Sequence, residues 1–388
     1  MPTHDTTHIP AWWRETTLGE IVKIGRWSSP RPIQDFIINI PWIPWVKIAD
    51  ATASLTRYIK GTKEYIREEW RSTFVQIWDL IVSNSATPGI PKFMNIDACV
   101  HDGWLIFSEY KSLDKQYLYY FFLDYRIRLE HSASGTVFKN LTTDIVRNVP
   151  ILLPSLPEQI AIADMLSSFD AKIELLREQN ETLEKTAQTI FQEWFGKYSV
   201  ERQDELPEGW RGGKLGEVIE NFDSQRIPIA SDKRQVWKYP YYWATWINDF
   251  VEDYIFDGIY TLLWEDGSVI KENWKPFTQY VWWKIWVNNH AHVLQGKAWF
   301  STELIKIILD RTDIMPYVNG AVQLKINQTN MNTIPVVIPI RLALNDFDKL
   351  IQPIFWKLRS NSEQIQSLSL TRDELLPRLM SGEVRVGV

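Results

Sequence analysis

Near its start the chain reads PAWWRETTLGE, from Pro10, and near its middle PEGWRGGKLGE, from Pro207. Aligned without gaps, Pro10, Trp13, Arg14, Leu18, Gly19 and Glu20 match Pro207, Trp210, Arg211, Leu215, Gly216 and Glu217, while Trp12 stands opposite Gly209. A near-copy displaced by about half of 388 residues leaves few architectures open. The chain is two versions of one unit, each long enough to bury its own core.

The first segment, about 10 to 155, carries the apolar runs IPWVKIAD, DLIVSNS, KFMNIDACV and GWLIFSEY, rich in β-branched and aromatic residues and parted by turn residues. Strands with a few helices between them are expected. It closes on TTDIVRNVPILLPSLPEQ, where Pro150, Pro154 and Pro157 are expected to hold off helix until Glu158. The second segment closes in parallel fashion on NQTNMNTIPVVIPI, from Asn327. Each is followed by a heptad seam. The first runs through Ile162, Leu166, Phe169, Ile173, Leu176, Asn180, Leu183, Ala187, Ile190 and Trp194. The second runs through Ile351, Ile354, Leu358, Asn361, Ile365, Leu368, Arg372, Leu375 and Leu379. Each seam calls for a helical partner, the nearest being the other helix, the alternative being that each stripe packs on its own globular domain. Asn180 and Asn361 would fix the register at a cost in stability. The expected fold is α+β: two tandem α/β domains, 1–157 and 200–340, and two long helices, 158–199 and 341–388, forming an antiparallel coiled coil. A 38-residue helix spans roughly 55 Å at the standard rise, a ruler that suits two separated binding heads.

An apolar fraction of 45 % and a charged fraction of 23 % fit a globular protein. No apolar run reaches the roughly 18 to 20 residues of a membrane span, and the N-terminus lacks a signal pattern, so a cytoplasmic location and no membrane partner are expected. The single cysteine, Cys99, excludes an internal disulfide and a cysteine-based zinc cluster. A net charge of −6 argues against a free-standing nucleic-acid binder.

Twenty Trp against 17 Gly is unusual, since Gly alone is ordinarily about 7 % of a protein. Several sit in turn-like contexts such as LLWEDGS, KENWKPF and GRWSSPRP, where a residue tolerating positive φ is wanted. The pattern predicts that Trp12, Trp27, Trp42, Trp70, Trp78, Trp237, Trp243, Trp246, Trp264, Trp274, Trp283, Trp299 and Trp356 are glycine in the native protein, written as Trp from UGA codons.

Catalytic motifs are scarce. Neither G-x-x-x-x-G-K-[ST] nor G-x-G-x-x-G occurs. Asn39-Ile-Pro-Trp42 has the outline of the Asn-Pro-Pro-aromatic motif of amino-methyltransferases but lacks its second proline. Glu109-Tyr110-Lys111 has the E-x-K spacing of metal-dependent nucleases, a common tripeptide. His290-Ala-His292 offers two imidazoles without an evident third ligand, so no metal site is expected. Binding features are better represented. Asn288, Asn289, His290 and His292 gather hydrogen-bonding groups beside Trp282 and Trp286, and Asn matches adenine edges bidentately. Lys284 offers a phosphate contact. Arg26, Ser28, Ser29 and Arg31 form a basic loop, and Asn84 and Thr87 belong to a polar one.

The duplicated plan, the openings WRETTLGEI and WRGGKLGEV, the phrases SNSATPGIPKFMNIDACVHDGWLIF, YPYYWATWINDFVEDYIFDG and VNNHAHVL, and the endings PSLPEQIAIADML and LLPRLMSGEVRV together resemble the DNA-specificity subunit of type I restriction-modification systems over nearly the whole chain. The resemblance implies two target recognition domains, each reading one half of an asymmetric bipartite sequence in double-stranded DNA. It implies a coiled coil built on Ile173, Leu176, Asn180, Leu183, Ile190, Leu358, Asn361, Ile365, Leu368 and Leu375 that sets the spacer and docks partners. Those partners would be two methyltransferase (modification) subunits and restriction/translocase subunits. Catalysis would be theirs, with S-adenosylmethionine, ATP and Mg, leaving this chain non-catalytic and without a cofactor of its own. Base and phosphate contacts are then expected from the loops already named and from Gln225, Arg226, Tyr241, Tyr242 and Thr245. A two-headed protein-binding scaffold is the alternative, and it predicts no sequence-dependent DNA binding.

Overall fold

A computed structural model describes residues 10, 12–29, 31–67, 74–131, 140–230, 238–243, 246–267, 269–271, 273–320 and 324–387. The chain divides into two compact units. The first is Met1–Leu176 with Gln364–Val388, and the second is Arg177–Glu363. The long helices, expected as segments of their own, are therefore shared between the units. Among the described residues no helix is long and apolar enough to cross a membrane.

In the first unit, β1 (Arg14–Thr17), helix α1 (Leu18–Ile21), β2 (Lys23–Gly25), β3 (Ile37–Ile38) and β4 (Ile43–Val46) lead to α2 (Ile48–Ala53). Then come β5 (Tyr58–Ile59), β6 (Tyr65–Ile66), β7 (Phe74–Val75), β8 (Leu80–Ser83), β9 (Pro91–Met94), β10 (Ala98–Val100) and β11 (Trp104–Ser108). Helices α3 (Lys115–His131) and α4 (Thr143–Arg147) and strand β12 (Pro150–Leu153) complete the domain. One five-stranded sheet has the order β2-β11-β8-β9-β5 and another β3-β6-β4-β10-β7. The apolar runs singled out in the sequence form β4, β8, β9, β10 and β11. β1 pairs antiparallel with β12, Arg14 opposite Leu153, so the two ends of the domain meet. The core between sheet and helices holds Leu80, Val82, Phe107, Tyr117, Phe121 and Phe122. Cys99 is buried in a smaller cluster with Trp45 and Ile66.

The second unit repeats this plan. β13 (Arg211–Lys214), α6 (Leu215–Val218) and β14 (Ile219–Asn221) are followed by β15 (Tyr239–Trp243), β16 (Trp246–Val251), β17 (Tyr260–Trp264), β18 (Thr278–Val281), β19 (Trp286–Val287) and β20 (Ala291–Gly296). Helices α7 (Thr302–Arg311) and α8 (Gln328–Asn332) and strand β21 (Pro335–Ile338) close it. The sheet order β14-β20-β17-β18 matches β2-β11-β8-β9, and β13 pairs with β21 as β1 does with β12. Capping repeats too. Thr142 accepts from Ile145 N ahead of α4, and Asn327 from Asn330 N ahead of α8; a short polar side chain satisfies one free amide in each first turn.

Two 40-residue helices, α5 (Leu156–Phe195) and α9 (Arg341–Met380), follow the two domains. Helix α5 begins at Leu156, two residues before the expected start at Glu158: Pro157 lies in the first turn, where its missing N–H has no intrahelical partner to lose. The helices pair antiparallel. In the first unit Ile162, Ala163 and Leu166 share a core with Leu376, Leu379 and Met380. In the second, Asn361 Nδ2 donates to Asn180 Oδ1 at 2.9 Å, and Phe195 packs edge-on to Phe347 at 4.9 Å. Ile173, Leu176 and Leu358 are buried along this seam, while Leu183, Ile190, Ile365, Leu368 and Leu375 are half-buried. Asn361 is fully buried, in keeping with a polar residue that fixes register.

Candidate functional site

Strand registers place the two domains' loops in correspondence. Asn84 N donates to Gly103 O at 2.8 Å, and Glu265 N to His290 O at 2.9 Å. The loop leaving β8 thus meets the loop entering β11 as the loop leaving β17 meets the loop entering β20. The loops after β2 and β14 join them. Each domain therefore gathers three loops at one end of its sheet, on the same scaffold but with different side chains.

In the first domain these loops converge on Asp102. Arg31 Nη2 donates to Asp102 Oδ2 at 2.8 Å, Ser29 Oγ to Oδ1 at 3.2 Å, and Arg26 Nε to the Asp102 carbonyl at 2.7 Å. Asn84 Nδ2 donates to that same carbonyl at 3.1 Å. Burial disfavours the Asp102 charge, but the Arg31 guanidinium and the Ser29 hydroxyl hold its carboxyl below the ordinary range. Burial lowers His101 despite its acidic neighbour. Arg26, Ser28 and Arg31 are exposed, Ser29 and Thr87 are half-buried, and Asn84 is buried. Asn84 is correspondingly a brace for the loops, and the solvent face belongs to the basic loop.

In the second domain Arg226 is the hub. Its Nη1 donates to Glu265 Oε2 and to the Ala291 carbonyl, both at 2.7 Å, and its Nη2 lies 3.5 Å from Asp223 Oδ2. His292 meets Asp223 Oδ2 through Nδ1 at 2.5 Å and the Ile326 carbonyl through Nε2 at 2.8 Å. Lys325 Nζ is 3.1 Å from Glu265 Oε1. Burial opposes the charge on Asp223, yet the His292 hydrogen bond and the His292 and Arg226 charges keep it lowered. Glu265 is lowered against burial by Arg226, His292 and Lys325. Asp223, Glu265 and His292 lie close enough to suggest a metal cage, but both Asp223 oxygens are engaged by His292 and Val293 N, and both Glu265 oxygens by Arg226 and Lys325. The cluster is an internal ion network that locks the three loops together.

Several residues chosen for their chemistry are in the interior. Tyr241 and Tyr242 are buried because β15 is the middle strand of the three-stranded sheet β16-β15-β19. Asn288 is buried, its Oδ1 accepting from His290 N at 2.8 Å, and His292 is buried in the ion network. These four side chains show no surface to a ligand. Gln225 and Asn289 are exposed, and His290 is half-buried against Asp266 Oδ1 at 2.7 Å with Trp243 stacked on its ring. Lys284 stands apart from this cluster, tied to Tyr254 Oη at 3.1 Å and to Asp257 at 3.7 Å. Thr245 lies outside the described residues. Asp102 and Glu265, the acidic anchors, were not singled out by sequence, although Asp102 and Asn289 hold the same position in the two copies.

The ion network has a pH signature. Asp223 and Glu265 titrate lower in the folded chain than unfolded, so their stabilising effect is fully present above the ordinary carboxylate range of about 4 and is lost as pH falls through the lowered values. Arg226→Ala removes the shared cation between the two carboxylates, leaving Asp223 to His292 and Glu265 to Lys325, a loss near the lower end of the roughly 3–5 kcal/mol for a broken buried pair. Urea unfolding at a series of pH values measures it. The variant should be much less stable than wild type at neutral pH, with the gap narrowing on acidification.

The family model described as the type I restriction modification DNA specificity domain matches residues 10–185 and again 207–362. The chain is 26 % identical, over 426 aligned positions, to the type I restriction enzyme MjaIX specificity subunit of Methanocaldococcus jannaschii, covering 98 % of this chain and 96 % of that one. To the MjaVIII specificity subunit of the same organism it is 27 % identical over 222 residues, 55 % of this chain and 50 % of that one. Among solved structures, the S subunit of a type I restriction-modification system from M. genitalium superposes with a TM-score of 0.56 at 17 % identity over 97 % of this chain and 98 % of that one, a likeness of fold.

Proposed function

This chain belongs to the type I restriction-modification DNA specificity family, and we propose that it reads the two halves of an asymmetric, interrupted sequence in double-stranded DNA, one half with each domain. The observation that carries this reading is the repeated scaffold with unlike loops. The loop after β2 presents Arg26, Ser28 and Arg31, where the loop after β14 presents Ser224 and Gln225 with Arg226 turned inward. Asp102 stands where the second domain has the exposed amide of Asn289. One docking geometry with two sets of hydrogen-bonding groups is what two different half-sites require.

Positioning and reading are divided between exposed groups. Arg26 and Arg31 are placed for phosphates, and Gln225 and Asn289 have the bidentate geometry that matches adenine edges. The long helices carry exposed apolar side chains, among them Leu175, Leu342 and Leu370, which suit the docking of two modification subunits and of restriction/translocase subunits. S-adenosylmethionine, ATP and Mg belong to those partners in this account, and their surfaces supply the phosphate attraction that a chain of net charge −6 lacks.

Binding of the assembled complex to DNA at several salt concentrations tests the assignment. Arg26→Ala with Arg31→Ala should weaken binding to all sequences alike and lower the salt slope by about one per lost phosphate contact. Asn289→Ala should relax preference at one base position, by about 1–3 kcal/mol. Binding that ignores sequence in wild type and variants alike would favour a protein-binding scaffold.

A further inference from the structure

We infer that the gene is read with UGA as glycine, and that Trp12, Trp27, Trp42, Trp78, Trp274, Trp299 and Trp356 are glycine in the native polypeptide. Three features of the fold support this: exposure separates all seven from the other described tryptophans, and backbone conformation and the duplication each add to it at some of them.

Exposure is the first. Trp12, Trp27, Trp42, Trp78, Trp274, Trp299 and Trp356 are each more than half exposed. Trp13, Trp45 and Trp104 are buried, and Trp194, Trp210, Trp282 and Trp286 are half-buried. An indole contributes by burying its large surface and satisfying its N–H. Trp13 Nε1 donates to Glu158 Oε2, Trp104 Nε1 to Val46 O, Trp282 Nε1 to Glu363 Oε1 and Trp286 Nε1 to Ile227 O. The exposed seven do not form an aromatic platform either, since among the described residues no ring contact joins any two of them.

Backbone conformation is the second. Trp78 has φ +73° and Trp274 φ +64°, left-handed values at which a Cβ crowds the following carbonyl and which glycine adopts freely. Neither is a fraying end. Trp78 N donates to Met94 O at 2.8 Å and Trp274 N to Lys271 O at 3.0 Å.

The duplication is the third. Trp12 corresponds to Gly209, itself at φ +78°. The gapless repeat continues through β2 and β14 and sets Trp27 against Ser224. The two 40-residue helices set Trp356 against Ala171. These three partners are small, whereas Trp13 faces Trp210. The strand registers do not separate Trp264, opposite Ala291, from Trp104, opposite Ser83, since each faces a small residue in the other copy. Half-buried Trp243, Trp264 and Trp283 are accordingly not assigned by these criteria, Trp70 and Trp237 lie outside the described residues, and nothing is described of the Trp246 side chain.

The test has two readings of one molecule. The coding sequence should show TGA at the seven positions and TGG at Trp13, Trp45, Trp104, Trp194, Trp210, Trp282 and Trp286. Tandem mass spectrometry of the protein purified from its own cells should show peptides across residues 78 and 274 lighter by the difference between an indolylmethyl group and hydrogen. TGG throughout, or TGA with tryptophan in those peptides, overturns the inference. Neither result bears on whether the chain reads DNA.

Discussion

A hybrid chain whose residues 10–155 come from another specificity subunit should direct methylation to a sequence changed in one half and unaltered in the other. The expectation follows from how the domain closes. β1 and β12 pair over their full length, Arg14 to Leu153 and Thr17 to Pro150, so the segment enters and leaves its domain at one place. The three loops converging on Asp102 all lie inside that segment, and the network around Arg226 lies wholly outside it. No residue of the second domain's loop network is touched. Comparing modified-base maps from cells carrying the hybrid and the parent measures the outcome. A change in both halves would show that the domains do not read independently.

The second large effect is on stability. Asp170 on α5 is buried and accepts from Tyr120 Oη at 2.7 Å and from Arg372 Nη1 at 2.5 Å, the latter on α9. Burial, and then the Asp170 charge, pushes the Tyr120 phenol up, so it stays a donor. Burial works against the Arg372 charge, but Asp170 more than offsets it. Arg372→Met leaves an ionised carboxylate without its counter-ion inside the first unit. Losing one member of such a pair costs about 3–5 kcal/mol, and partial exposure of Arg372 points to the lower end. Arg372→Met with Asp170→Asn should recover part of the loss, since the stranded charge is gone. Urea denaturation reads both. A single-variant loss under about 1 kcal/mol would place the pair among surface ion pairs.

The duplication, the two long helices and the strand-forming runs were legible in the sequence, because heptad spacing and β-branched clusters are local signals. The polar places in the seams were legible as well: Asn180 meets Asn361, and Arg372 meets Asp170. The recognition groups were less so. Tyr241, Tyr242, Asn288 and His292 have the chemistry of a binding surface, but chemistry does not reveal that β15 is a central strand or that His292 closes an ion network. Asp102 and Glu265 lack any local signature, since each acts through partners distant in sequence. Register between the two copies was the signal that could have found them.

The central claim is that one chain reads two half-sites, and the most direct test is modified-base sequencing of the source genome with and without this gene. The account predicts an adenine-methylated motif of two unlike halves with a fixed unspecified spacer, present in the parent and lost on deletion. A methylation pattern unchanged by the deletion would contradict it.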